Sequence, residues 1–311
     1  MHVLVTGGGG MLASSISRAW IVLRPDDRLT LLSRRDLDLR NADLTRSVFS
    51  RLRPDVVIHT AGMVGGIADK LARPLPYLVD NLRIDTSVLE AVVQAEVPSY
   101  LYTASAAAYP VAAKNPISES ALFEGRLESA NESYGLAKLA GLSGVGYAAR
   151  QTGAAYRAIL PSNLYGPDDT FEPTRAHLVA STLRKTHLAK EEGSRVAVWG
   201  AGMARREFTF APDIARWLAS HIEQMSSWPL MMNVGSGVDH RVRDLYAYAA
   251  EIVGYDRGFD FDVAQPEGVQ QRLIDSSVAR SFGWVPETSI HDGMAICYGS
   301  FLVRSENGEF R

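Results

Sequence analysis

Short, continuous apolar runs alternate along this chain with longer stretches in which apolar positions recur every three or four residues. His2-Val-Leu-Val-Thr6, Arg28-Leu-Thr-Leu-Leu32, Asp55-Val-Val-Ile-His59 and Ser99-Tyr-Leu-Tyr-Thr103 are runs of strand length. The helical pattern after the first run extends through Leu23, and helical stretches precede the third and fourth. Strands that are apolar at successive positions are buried on both faces, so the alternation predicts a parallel sheet covered by helices on both sides. The regularity holds to Leu160-Pro-Ser-Asn-Leu-Tyr-Gly166 and then loosens. Beyond it the pattern predicts a helix over 176–190, a strand over 196–199 and a helix through Val242, Leu245, Ala249 and Ile252. The runs 206–210 and 231–235 are expected to return to the large sheet. These spacings divide the chain into a large domain, 1–166 plus 207–240, and a smaller lobe, 167–206 plus 241–311.

The first strand opens directly on Gly7-Gly-Gly-Gly10-Met-Leu-Ala13. Strand, glycine turn and helix in this order form a cradle for a dinucleotide pyrophosphate: Gly7 allows the tight turn, Gly10 the close backbone approach, and Ala13 the packing of helix on strand. The fold class is therefore α/β, a Rossmann-like doubly wound parallel sheet with a smaller, mixed C-terminal substrate lobe. The second run ends at Ser33-Arg34-Arg35, where an acid for ribose hydroxyls is replaced by arginine, which suits the 2′-phosphate of NADP better than NAD. Asp38 and Leu39 begin an adenine-side segment. Tyr134 and Lys138 stand at i and i+4, on one helix face, where a cation favours the ionised phenol. With Ser105 upstream, they make an apparatus for moving a proton to or from an alcohol oxygen.

Composition adds exclusions. At 311 residues, 46% hydrophobic and 22% charged, the chain can bury a large core, and its net charge of −3 offers no field for nucleic acid. No apolar stretch is long enough for a membrane span, and no targeting segment precedes the first strand, which gives cytoplasmic residence as the expectation. Cys297 is the single cysteine, so an intrachain disulfide is excluded and no metal site is expected.

Several further blocks narrow the reading: His59-Thr-Ala-Gly-Met-Val-Gly-Gly-Ile67, Ala108-Tyr-Pro110, Asn131-Glu-Ser-Tyr134, Pro161-Ser-Asn-Leu-Tyr-Gly-Pro167, Val198-Trp-Gly200, Arg206-Glu-Phe208, Asn233-Val-Gly235 and Phe282-Gly-Trp284. With the glycine turn, Ser105 and the Tyr134/Lys138 pair, they resemble, in order and over essentially the whole chain, the extended short-chain dehydrogenases/reductases that act on nucleotide sugars. Within this NAD-dependent epimerase/dehydratase family the resemblance is to the GDP-L-fucose synthases. It implies that Ser105, Tyr134 and Lys138 are a reductase triad and that His177 is an acid/base or sugar-binding group. It implies that NADP lies along Gly7, Gly10, Met11, Arg34, Asp38, Leu39, Ala61, Gly62, Lys138, Pro161, Asn163 and Leu164. Asn163, His177, Lys185, Trp199, Arg206 and Arg272 fall on or beside positions that line the sugar-nucleotide site. A homodimer, paired through helices around 76–96 and 134–150, is implied as well.

One departure bears on the chemistry. The family carries an epimerising cysteine two residues beyond the serine, where this chain has Ala107. The resemblance thus implies an NADPH-dependent 4-keto reduction of a GDP-linked 4-keto-6-deoxy or related sugar, with 3,5-epimerisation weakened or absent. Two alternatives stay open: an NDP-sugar 4-epimerase that retains NAD, and a catalytically silent NADP-binding regulator.

Overall fold

The computed structural model describes residues 1–265 and 268–309. Its first half runs β1 (His2–Thr6), α1 (Met11–Leu23), β2 (Arg28–Leu32), α2 (Ala42–Leu52), β3 (Val56–His59), α3 (Ile67–Ala72), α4 (Pro74–Gln94), β4 (Ser99–Thr103), α5 (Glu132–Thr152) and β5 (Ala155–Pro161). Then come β6 (Asn163–Tyr165), α6 (Leu178–Glu192), β7 (Val196–Trp199), β8 (Arg205–Phe210), α7 (Ala211–His221), β9 (Met231–Val234) and β10 (Asp239–Arg241). The last elements are α8 (Val242–Val253), β11 (Phe259–Asp262), β12 (Gln271–Arg272), α9 (Ser277–Ser281) and α10 (Ile290–Glu306).

Six parallel strands form the main sheet in the order β2-β1-β3-β4-β5-β9. Alternate residues along each strand enter opposite cores, as the pleat requires. Leu4, Val57, Tyr100 and Tyr102 pack with Val88 and Val92 of α4 and Leu142 and Val145 of α5. Val3, Val5, Ile58 and Leu101 pack on the other side with Ile16 and Trp20 of α1 and Ile214 and Leu218 of α7. Burial on both faces explains why these strands read as unbroken apolar runs. The chain order reverses beside β1, with β2 on one side and β3 on the other, and the crevice there is where ligands of such sheets bind.

The sequence pattern sends 206–210 to the large sheet, and the structure does not. Only 231–235 reaches it, as β9 beside β5, whereas β8 pairs with β6, β10 and β12 in a separate sheet. The physical reason lies in β6, which follows β5 after a single residue and sets Asn163 against Phe208 and Tyr165 against Phe210. The apolar face of β8 is thereby spent on a second core, where Phe208, Phe210 and Tyr165 meet Val179, Leu183, Leu245, Met294 and Phe301. Cys297 is buried in the same core.

Candidate functional site

The glycine turn closes over the switch point. Gly7 has φ +76°, and a Cβ there would stand 2.8 Å from the Ala61 nitrogen, so both conformation and space demand glycine. The Gly10 nitrogen donates to Gly7 O at 2.8 Å and Gly10 caps α1 without a side chain. No acidic residue occupies the first turn of α1, and a Cβ on Gly9 would meet nothing within 4 Å. The N–H groups of that turn and the positive end of a 13-residue helix are left to an anion, which fits a dinucleotide pyrophosphate.

Other expected cofactor positions surround this cradle. A Cβ on Gly62 would lie 3.7 Å from Lys138 Nζ, so the crevice leads from Ala61 and Gly62 to the triad. Met11 packs against Gly166, Pro161 is buried at the end of β5, and Leu164 is half-buried on β6. Arg34 and Arg35 are exposed beyond β2, while Leu39 is buried. Asp38 is engaged by Arg40, at 2.6 Å, and that hydrogen bond pulls its carboxyl down to about 2. Asn163 donates from Nδ2 to Glu207 O at 2.8 Å, which ties it into the second sheet.

Ser105 leaves β4 and caps the 3-10 turn Ala106–Ala108, its Oγ accepting from Ala107 N at 3.1 Å. Tyr134, on the first turn of α5, is buried, with the Ser105 hydroxyl near enough to favour its ionised form. Lys138 follows one turn later, with Nζ 5.9 Å from the Tyr134 ring centroid. The three groups are therefore brought together from the end of β4 and one face of α5.

A second set of residues, absent from the sequence reading as functional groups, stands behind them. Lys138 Nζ lies 3.4 Å from Asp85 Oδ2 and 4.7 Å over the Tyr102 ring. Tyr102 donates its hydroxyl to the same Asp85 oxygen at 2.6 Å, and His59 Nε2 reaches Asp85 Oδ1 at 3.0 Å. Burial keeps the His59 imidazole below its usual range despite Asp85, so Nε2–H donates to the carboxylate and Nδ1 accepts from Thr6 Oγ1 at 2.6 Å. One signal could have exposed this cluster: Asn81 and Asp85 are polar residues one turn apart on the apolar face of α4, between Tyr77 and Val88.

The cluster changes the electrostatics expected from spacing alone. Burial raises the Tyr134 phenol above its ordinary value; Lys138 and the nearby Ser105 hydroxyl oppose the rise, and Asp85 adds to it. The i, i+4 ammonium does not win because the phenol is desolvated and the lysine charge is shared with a buried carboxylate. Tyr134 is consequently a phenol at neutral pH, the form able to give a proton.

Close packing fixes the Ser105 segment against α5. A Cβ on Gly135 would stand 2.6 Å from Ala107 O and 2.8 Å from Leu127 Cδ1. Gly135→Ala is expected to cost about 1–3 kcal/mol in urea unfolding, because a backbone carbonyl must move to admit the methyl. An unchanged unfolding midpoint would contradict this contact.

Beyond the large sheet, His177 caps α6 with its Nδ1 2.9 Å from Asp169 Oδ1. Asp169 is buried, and its Oδ2 has no hydrogen-bond partner among the described residues. In the sequence, 167–169 stood only where the β/α regularity loosens. Arg206 and Arg272 are neighbours in register between β8 and β12. Arg206 donates to Val269 O at 2.6 Å, and the buried Arg272 donates to Tyr109 O at 3.1 Å with Glu128 4.0 Å away. Lys185 on α6 and Trp199 at the end of β7 are exposed, and among the described residues neither hydrogen-bonds to the triad. Among the described residues no cluster of metal-ligating side chains occurs and no helix is long and apolar enough to cross a membrane.

The chain is similar to known proteins along nearly its whole length. Residues 3–235 match the NAD dependent epimerase/dehydratase family. The chain is 35% identical over 310 residues to GDP-L-fucose synthase of Azorhizobium caulinodans, covering 98% of this chain and 97% of that protein. A solved GDP-6-OMe-4-keto-L-xylo-heptose reductase from Campylobacter jejuni superposes with a TM-score of 0.90 at 25% identity, over 97% of this chain and 98% of that one. A GDP-mannoheptose C4 reductase from the same organism, with NADP bound, gives a TM-score of 0.87 at 27% identity over 97% and 98%. The glycine cradle, the parallel sheet and the end-to-end similarity lead to one conclusion: the chain is an enzyme of the NAD dependent epimerase/dehydratase family.

Proposed function

We propose that this enzyme is an NADPH-dependent reductase of the C4 ketone of a GDP-linked 4-keto-6-deoxy or related sugar. The observation that carries the proposal is a buried Tyr134 with Lys138 Nζ 5.9 Å from its ring, that ammonium lying 3.7 Å from where a Cβ on Gly62 would stand. Bound NADPH supplies the hydride. Tyr134 gives its proton to the C4 oxygen as that oxygen becomes an alcohol, and the Ser105 hydroxyl holds the oxygen in line. Lys138, steadied by Asp85, keeps positive charge beside the phenolate that Tyr134 becomes. One hydride on carbon and one proton on oxygen would turn the ketone into a secondary alcohol.

Residues 1–166 with 207–240 serve as the NADP-binding domain in this reading, and 167–206 with 241–311 as the substrate lobe. Arg34 takes the 2′-phosphate, while Arg206, Arg272 and Lys185 face the GDP diphosphate, with Asn163, His177 and Trp199 around the sugar. Exposed Leu136 and Tyr147 on α5 favour pairing of two copies through α4 and α5. With Ala107 beside Ser105 no thiol is available there, and loss of a positioned acid/base group removes about 10²- to 10⁴-fold of rate, so epimerisation at C3 and C5 is weak or absent.

Mixing the enzyme with NADPH and GDP-4-keto-6-deoxymannose is expected to oxidise NADPH in proportion to ketone reduced. In deuterated water the product is expected to carry no deuterium at C3 or C5. Absence of NADPH oxidation with every GDP-keto sugar would sink the proposal. Tightly retained NAD, with interconversion of 4-hydroxy sugar nucleotides and no net cofactor turnover, would favour the 4-epimerase instead.

A further inference from the structure

Lys70 is a cation at the reaction centre to which neither the triad nor the cofactor cradle gives a task. It sits on α3, a short helix with no buried residue that leaves the Gly65-Gly66 turn. Its Nζ stands 4.9 Å over the Tyr134 ring, closer than Lys138 at 5.9 Å. The same turn borders the substrate side, since a Cβ on Gly66 would lie 3.6 Å from Ala176 O, next to His177.

The hydrogen bonding of this ammonium is incomplete. Lys70 has three donors and spends one on Asn131 Oδ1 at 2.9 Å, with no other hydrogen bond or ion pair among the described residues. Asn131 is fixed in that orientation because its Nδ2 donates to Glu128 Oε2 at 2.8 Å. Burial pulls the Lys70 ammonium down to about 8 even with Glu128 opposing, as expected of a cation short of partners. Its remaining donors lie beside Tyr134, the group that protonates the C4 oxygen in this reading.

We infer that Lys70 is a specificity residue that donates to the sugar hydroxyl on C3, the hydroxyl-bearing carbon adjacent to the ketone. The inference rests on the C4-reductase reading, because that reading fixes C4 at Tyr134 and so C3 beside it. An oxygen there completes the ammonium's hydrogen bonds. A sugar lacking it leaves a partly buried cation unsatisfied, and such a site discriminates strongly against the deoxy analogue.

The test is calorimetric binding, in the presence of NADP, of GDP, GDP-mannose and GDP-3-deoxymannose, none of which carries a ketone. The parent protein is expected to bind GDP-mannose about 10- to 100-fold more tightly than the 3-deoxy compound. Lys70→Met is expected to erase that preference while leaving affinity for GDP and for NADP unchanged, which also reports that the variant is folded. Lys70→Arg is expected to keep part of it. If Lys70→Met retains the preference, or weakens GDP as much as GDP-mannose, or if the parent binds both sugars equally, the assignment to Lys70 is overturned and the reductase reading stands. A parent that binds neither GDP nor GDP-mannose overturns the nucleotide-sugar reading and the assignment with it.

Discussion

Tyr134→Phe is expected to lower kcat by about 10²- to 10⁴-fold, the range for removal of a positioned general acid, with little change in NADPH binding. The substitution deletes one oxygen and keeps the ring, so the ring contacts of Lys70 and Lys138 survive. Because the ring stays packed in the same place, a large loss of kcat with normal cofactor affinity separates proton donation from structure. The pH profile supplies a second reading. Burial raises the phenol, so the parent enzyme is expected to reduce its substrate at a steady rate through neutral pH and to slow only on the alkaline side, where the proton to be donated is lost. The Phe variant should lose that alkaline limb. A variant within threefold of the parent in kcat would remove Tyr134 from the reaction.

Asp85→Ala is expected to be the most destabilising substitution, by about 3–5 kcal/mol, because removing one member of a buried ion pair leaves the other charge uncompensated. Three groups lose their partner at once: Lys138 at 3.4 Å, His59 at 3.0 Å and the Tyr102 hydroxyl at 2.6 Å. The effect has a defined pH dependence. Burial alone would raise the Asp85 carboxyl, but Lys138 and the His59 and Tyr102 hydrogen bonds prevail and hold it below 3.8. A depressed carboxyl stabilises the fold above the unfolded value and loses that contribution as pH falls through the folded one. His59, kept neutral below 6.5, acts in the same direction, since the unfolded chain takes up the proton first as pH drops. The parent should therefore lose stability progressively from about pH 6.5 downward, and Asp85→Ala should show a shallower acid decline from a lower plateau. Urea unfolding at several pH values measures both. A loss under 1 kcal/mol at neutral pH would mean that the cluster does not hold the fold. Its position also makes the substitution informative about chemistry, because Lys138 freed from Asp85 would no longer be steadied beside Tyr134.

Much of this was legible because it is local. The strand runs are unbroken where both faces of the sheet are covered, as at Val3, Leu4 and Val5. Gly7 announces a positive φ that the chain adopts, and the helix from Glu132 places Tyr134 and Lys138 one turn apart. By contrast, β8 could not be placed from its own residues, since Phe208 and Phe210 would suit either sheet and only β6 decides between them.

The sequence by itself determined the α/β alternation, the dinucleotide cradle and the Tyr134/Lys138 pairing, because each follows from backbone geometry within a few residues. Tertiary structure alone decided the protonation state of Tyr134 and the surroundings of both lysines. Those depend on desolvation and on charges that arrive from elsewhere in the chain: Asp85 is 53 residues from Lys138, and Asn131 is 61 residues from Lys70. A pKa is set by what is near in space, and no local spacing encodes it.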